Sequence, residues 1–155
     1  MSVGTMTLQR FNGEEAYAID SAKIEHCKTE GGGYSVTFRA EASKVPIRTL
    51  PDTESLNARP FAEITLHLAK PPALALTVGQ TFSLPKGYNE ATGEYHTNFY
   101  YCEHEPLDNN EVVVLEREGL RVKARLSGTT TDVNFYDGSK PETKVVVEAD
   151  FTLES

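Results

Sequence analysis

The chain has no tryptophan, only two cysteines, and fewer basic than acidic residues along its 155 positions. Two cysteines, Cys27 and Cys102, are too few for a disulfide scaffold, so a packed core must carry the fold and a reducing compartment suits it. No segment approaches the roughly 18 consecutive apolar residues that a membrane-spanning helix needs. Residues 1–11 lack the basic start and apolar run of a secretory leader, which makes the cytoplasm the expected location. With 15 Lys and Arg against 23 Asp and Glu, the formal charge is -8. That field repels a phosphate backbone or an anionic lipid surface, so neither nucleic acid nor membrane is an expected partner. A helical period sustained over roughly ten residues is missing too, which excludes a long helix.

What is present is a period of two. Val145, Val147, Ala149, Phe151 and Leu153 alternate with Lys144, Glu148, Asp150, Thr152 and Glu154, with Val146 as the exception. Side chains on a strand point alternately to opposite faces, so such a segment buries one face and wets the other. The pattern recurs at Tyr34–Ala42, Ala62–Ala69, Gly119–Ser127 and Tyr95–Glu105. Shorter apolar runs at Met6–Phe11, Ala73–Val78, Gln80–Leu84 and Glu111–Leu115 add candidate strands. In Ala16–Lys28 the parity slips, since Tyr17 and Ile19 share one phase and Ala22 and Ile24 the other, which predicts a bulge at Asp20–Ser21. Gly31-Gly32-Gly33 marks a tight turn. Pro46, Pro51 and Pro60 bracket a long loop with one helical turn at Asp52–Asn57, and Ser127–Glu142 is a second long connection. The expectation is a single all-β domain over residues 1–155, an antiparallel β-sandwich of about eight or nine strands.

Three strings carry candidate chemistry. Asp132, Asn134 and Asp137 precede Gly138 and offer oxygen ligands for calcium, with Glu142 as a further donor. The competing interpretation is an Asp-Gly turn with Val133 and Phe135 directed inward. On Tyr95–Glu105, taken as one strand, His96, Cys102 and His104 share a face and could bind zinc with His26 or Cys27 from elsewhere. Against that, no paired CxxC spacing exists. Glu103 and Glu105 form a carboxylate pair of the kind a glycosidase uses, although so acidic a chain contains such pairs by chance. Arg121, Lys123 and Arg125 lie on one outward face, where Glu148, Asp150 and Glu154 would neutralise them if the two strands pair.

Asn98-Phe99-Tyr100-Tyr101-Cys102 resembles, over five residues, the Tyr-x-Cys of immunoglobulin domains, which implies Cys27 as the earlier partner of Cys102. No Trp follows Cys27, so the general sandwich and not that family is retained.

No hydrolase, phosphate-loop or dinucleotide signature occurs. The function expected is therefore a non-enzymatic binding module whose loops or strand edge contact a protein partner or a second copy. Tyr88, Asn89, Tyr95 and His96, on and beside the loop Leu84–Glu94, are the expected contact residues, because aromatic rings and amides suit such surfaces. The alternatives are a metal-dependent or carboxylate-based hydrolase and a calcium-stabilised structural domain. No cofactor is expected beyond the calcium or zinc just described.

Overall fold

The computed structural model describes residues 2–56 and 58–154. The chain is all-β. Its elements in order are β1 (Gly4–Arg10), β2 (Gly13–Lys28), β3 (Tyr34–Arg48), β4 (Phe61–Leu68), a single helical turn α1 (Pro72–Ala75) and β5 (Thr81–Leu84). There follow β6 (Tyr88–Asn89), β7 (Glu94–Tyr95), β8 (Thr97–Tyr100), β9 (His104–Glu105), β10 (Asp108–Glu118), β11 (Arg121–Thr130) and β12 (Thr143–Leu153).

Ten strands form one hydrogen-bonded sheet in the order β5-β10-β11-β12-β1-β2-β3-β4-β8-β9, and β6 and β7 form a small ribbon beside it. The strands expected to divide between two sandwich sheets thus lie in one continuous sheet. The sheet curls, so that β4 and β5, far apart in its order, line one cavity. On its inner face Phe38 of β3 and Phe151 of β12, both beside the end of β2, meet edge to face with ring centroids 5.4 Å apart. The last residues of β12, Thr152 and Leu153, also pair in parallel with Lys23 and Ile24 of β2, where the shorter β1 has ended. Inward residues from every long strand join one core, among them Met6, Ile24, Phe38, Ile64, Val114, Leu126 and Phe151. Fully burying each such side chain contributes about 1.5–3 kcal/mol.

The alternation places these faces as the sequence predicts. On β12 every odd position is buried from Thr143 to Leu153. Ile19 and Ala22 are both buried although they differ in parity, and the β2–β3 register shifts between Ile19 and Ser21, so the bulge lies at Asp20–Ser21. Lys123 and Arg125 face Asp150 and Glu148 across the β11–β12 ladder, whereas Glu154 approaches Lys23 instead.

Three segments depart from the expectation. Tyr95–Glu105 is not one strand: the chain bends at residues 101–103 and β9 folds back on β8, pairing His104 with Tyr100. The cause is tertiary, because Tyr101 turns inward to a buried carboxylate. The run Ala73–Val78 forms α1 and a turn rather than a strand. Pro72 at the first helical position has a preset φ and no N–H to lose, and only Leu76 of this run reaches the core. The long loop expected between Pro46 and Pro60 starts later, since β3 continues to Arg48 and pairs it with Ala16. Within that loop Asp52–Leu56 makes successive turns, and Asn57 lies outside the described residues.

Candidate functional site

The structure holds two polar concentrations of opposite character. The first forms at the β1–β2 hairpin. Arg10 and Glu15 occupy inward positions of their strands, in phase with Met6 and Leu8 on β1 and with Tyr17 and Ile19 on β2. Gly13 sits between them with φ +141°, and a side chain there would press on Leu50. The Arg10 guanidinium has five N–H donors. Nε and Nη2 donate to Asp132 (2.9 and 2.8 Å), Nη1 and Nη2 to Asp52 (2.8 and 2.7 Å), and Nη1 to Glu15 (3.1 Å). Every donor is matched.

The acceptors are engaged in turn. Asp132 also receives Thr143 Oγ1 and the Asn134 amide, while Glu15 receives the Tyr101 hydroxyl (2.9 Å), which itself accepts from Tyr17 (3.0 Å). Burial disfavours the charged guanidinium, but hydrogen bonds to Asp52 and Asp132 outweigh it and raise the Arg10 pKa. Arg10 in return holds the Asp52 carboxyl down at about 2. Burial pushes both the Tyr17 and Tyr101 phenols upward, which keeps them neutral donors.

This arrangement places the proposed calcium ligands. Asp132 is fully buried and both its oxygens are occupied by protein donors; the Asn134 amide nitrogen turns to Asp52, and Asp137 caps its own turn through the Ser139 amide. Asp137 is turned away from the other two, and a cation at Asp132 would have to displace Arg10. Gly138, with φ +77°, makes the turn that the competing interpretation expects.

The second concentration is open. Tyr95, His96, Asn98 and His104 line a cavity of about 280 Å³ together with Glu63 and Thr65 of β4. The β8–β9 hairpin brings His104 beside Asn98, whose side-chain amide bonds its Nδ1 at 3.0 Å. Glu63 is held by Arg39 at 2.7 Å. Tyr88 reaches this region indirectly, by packing on Tyr95 at 4.6 Å across the β6–β7 ribbon, while Asn89 is engaged by the Ala91 amide in the ribbon's turn. His96 meets His67 edge to face at 5.4 Å, and neither ring nitrogen set has a hydrogen-bond partner among the described residues.

The ribbon is anchored rather than loose. Gly87 accepts the His96 and Thr97 amides, and its own amide donates to Asp108. A Cβ at Gly87 would collide with Thr97 and with the Leu107 backbone, so only glycine lets the chain pass this close.

Cys102 lies outside this cavity. The bend separates it from His104, and its amide faces the Tyr136 hydroxyl instead. Both cysteines are free and exposed, so no Cys27–Cys102 bridge forms. His26 contacts the Glu154 carbonyl at 2.9 Å. Among the described residues no group of three or more His, Cys, Asp or Glu side chains is arranged to hold a metal ion.

Sequence reasoning singled out Tyr95, His96 and His104, which the structure brings together, and missed His67, Arg10 and Asp52. His67 lies on the outward phase of β4 and carries no local mark of its neighbour. The chain matches no protein-family model, no curated protein and no solved structure.

Proposed function

We propose that this protein is a non-enzymatic binding module that contacts a protein partner through the groove of Tyr95, His96, Asn98 and His104. The observation that carries the reading is the state of the polar groups. Every donor of Arg10 is matched within the protein, whereas the rings of His67 and His96 have no hydrogen-bond partner among the described residues and line an open cavity. Tyr95 stands 65% exposed at the rim, so an aromatic surface is available beside those nitrogens. Rigid aromatic rings supply contact area at low entropy cost, and here an anchored ribbon holds them.

The test uses peptides selected on the wild-type protein from a random display library, then synthesised and titrated. Tyr95→Ala and His96→Ala are each expected to weaken binding by roughly tenfold or more with an unchanged melting temperature. Peptides that bind both variants as they bind wild type would place the contact surface elsewhere.

A further inference from the structure

The groove does not end at His96. Thr65 and His96 also line a second cavity of about 400 Å³, whose walls are β4 (Thr65–Leu68) on one side and β5 (Thr81–Leu84) on the other. These strands lie far apart in the sheet order yet flank one slot, so the rolled sheet is open along a seam between them. Leu68 and Phe82 then lead into a third hollow of about 370 Å³ below α1, at Lys70 and Leu74.

Both walls present backbone that lacks a partner among the described residues. On β4 the Thr65 amide donates to the His96 carbonyl, on the edge away from β3. By the two-residue period His67 turns its N–H and C=O to that same edge, beyond the point where His96 departs. On β5 the Val114 amide donates to Gln80, and Val112 and Asn110 are aligned with Phe82 and Leu84. Gln80, Phe82 and Leu84 therefore face β10, and Thr81 and Ser83 direct their backbone groups into the slot. Seven successive antiparallel pairings separate the walls, so β4 and β5 run in opposite directions.

We infer that the seam accepts an extended peptide segment from a partner protein, which adds as a strand between β4 and β5. This rests on the reading of the His96 groove as the ligand site and specifies how the ligand is held. The inserted strand lies antiparallel to one wall and parallel to the other, and its main-chain groups satisfy His67, Thr81 and Ser83. Its inward side chains meet Leu66, Leu68, Phe82 and Leu84; its outward ones meet His67, Thr81 and Ser83.

Charge selects the outward residues. Three of the four histidines and Lys70 line the seam and its two extensions, and its one carboxylate, Glu63, is neutralised by Arg39. In a protein of net charge -8 these lining residues hold no carboxylate that is left without a cation, so they oppose an acidic chain little. The occupant is thus an alternating apolar–acidic segment whose paired stretch matches the four residues of each wall, roughly 13 Å at about 3.3 Å per residue.

The experiment follows amide hydrogen exchange and peptide affinity in parallel. In the free protein the His67, Thr81 and Ser83 amides should exchange rapidly. If they are already protected, β4 and β5 zip directly together and the inference fails. Peptides selected on wild type should slow these amides at least about tenfold and should be of the alternating acidic type. Ser83→Pro, which removes an edge N–H without touching the β10 side, should weaken binding at least about tenfold more than Ser83→Ala, which loses the hydroxyl and keeps the N–H. If Ser83→Pro does not fold, methylating alternate peptide amides takes its place, with one phase abolishing binding and the other tolerated.

Selected peptides that depend on Tyr95 and His96 but ignore Ser83→Pro and amide methylation would overturn strand addition and leave the groove reading standing. Peptides indifferent to Tyr95 and His96 would defeat the groove reading itself. Failure to select any peptide, or a wild-type dimer in sedimentation that Ser83→Pro dissociates, would also overturn it, the latter by making a second copy the occupant.

Discussion

The Arg10 cluster and the His96 seam are built from the same kinds of residue and reach opposite outcomes. Around Arg10, segments distant in the chain close until each guanidinium N–H has a carboxylate oxygen, and the side chains of Arg10, Glu15 and Asp132 are fully buried. Along the seam, the His67 and His96 rings touch edge to face but take no hydrogen-bond partner among the described residues, and the strand edges meet a cavity. Burial explains why the first must be complete. An unmatched charge or donor in a low-dielectric interior costs far more than the same group beside water, so incompleteness survives only where solvent or a ligand can answer it. Saturation marks structure here, and the unsaturated seam is what the binding proposal rests on.

The comparison breaks most sharply at Arg10. Arg10→Met leaves three carboxylates without their cation, and removing one member of such a buried set costs about 3–5 kcal/mol. A thermal melt should show a fall on the order of 10 °C. A melt within a degree or two of wild type would mean that the carboxylates reach water and that the cluster is not closed.

A smaller effect follows from Asp52, the least buried of the three, with 24% of its side chain exposed. Arg10 depresses its pKa to about 2, below the ordinary 3.8. Its stabilising contribution is therefore complete above about pH 4 and is lost as the pH falls toward 2. Asp52→Asn should reduce stability at pH 7 by on the order of 1–2 kcal/mol and flatten the urea midpoint between pH 4 and 2. An unchanged acid profile would assign that limb to other carboxylates.

The smallest effect sharpens the contrast from the open side. His67→Ala removes an exposed ring with no hydrogen bond among the described residues, and stability should move by less than about 0.5 kcal/mol. A larger loss, read from urea midpoints, would show that the His67–His96 contact holds the ribbon in place.

Much of the frame was legible because strand parity is a local property. The phases of β4, β11 and β12, and the bulge at Asp20–Ser21, follow from which neighbours are apolar. Arg10 and Glu15 were legible in principle as well: both stand on the inward phase of their strands, where a charge must find a partner. Asp52 was not, because a loop residue's proximity to a strand many positions away leaves no trace in its own neighbourhood. The bend at Tyr101-Cys102-Glu103 was hidden for a related reason. It contains no Gly, Pro, Asn or Asp, and what turns the chain is the distant carboxylate that captures Tyr101. His96 and His104 therefore share a cavity through a hairpin rather than through the common strand face that their spacing suggested.

The position of β1 has a consequence for synthesis. This early strand lies between β2 and β12, and β12 also borders β11 and touches the end of β2. The middle of the sheet is thus assembled from segments synthesised far apart in time. While β12 is still inside the ribosome, β1 and β11 each have an open edge, and Met6, Leu8, Val122 and Leu126 lack their cover. Folding of the whole must wait for residues 143–153, and nascent chains shorter than that are the form most in need of a chaperone.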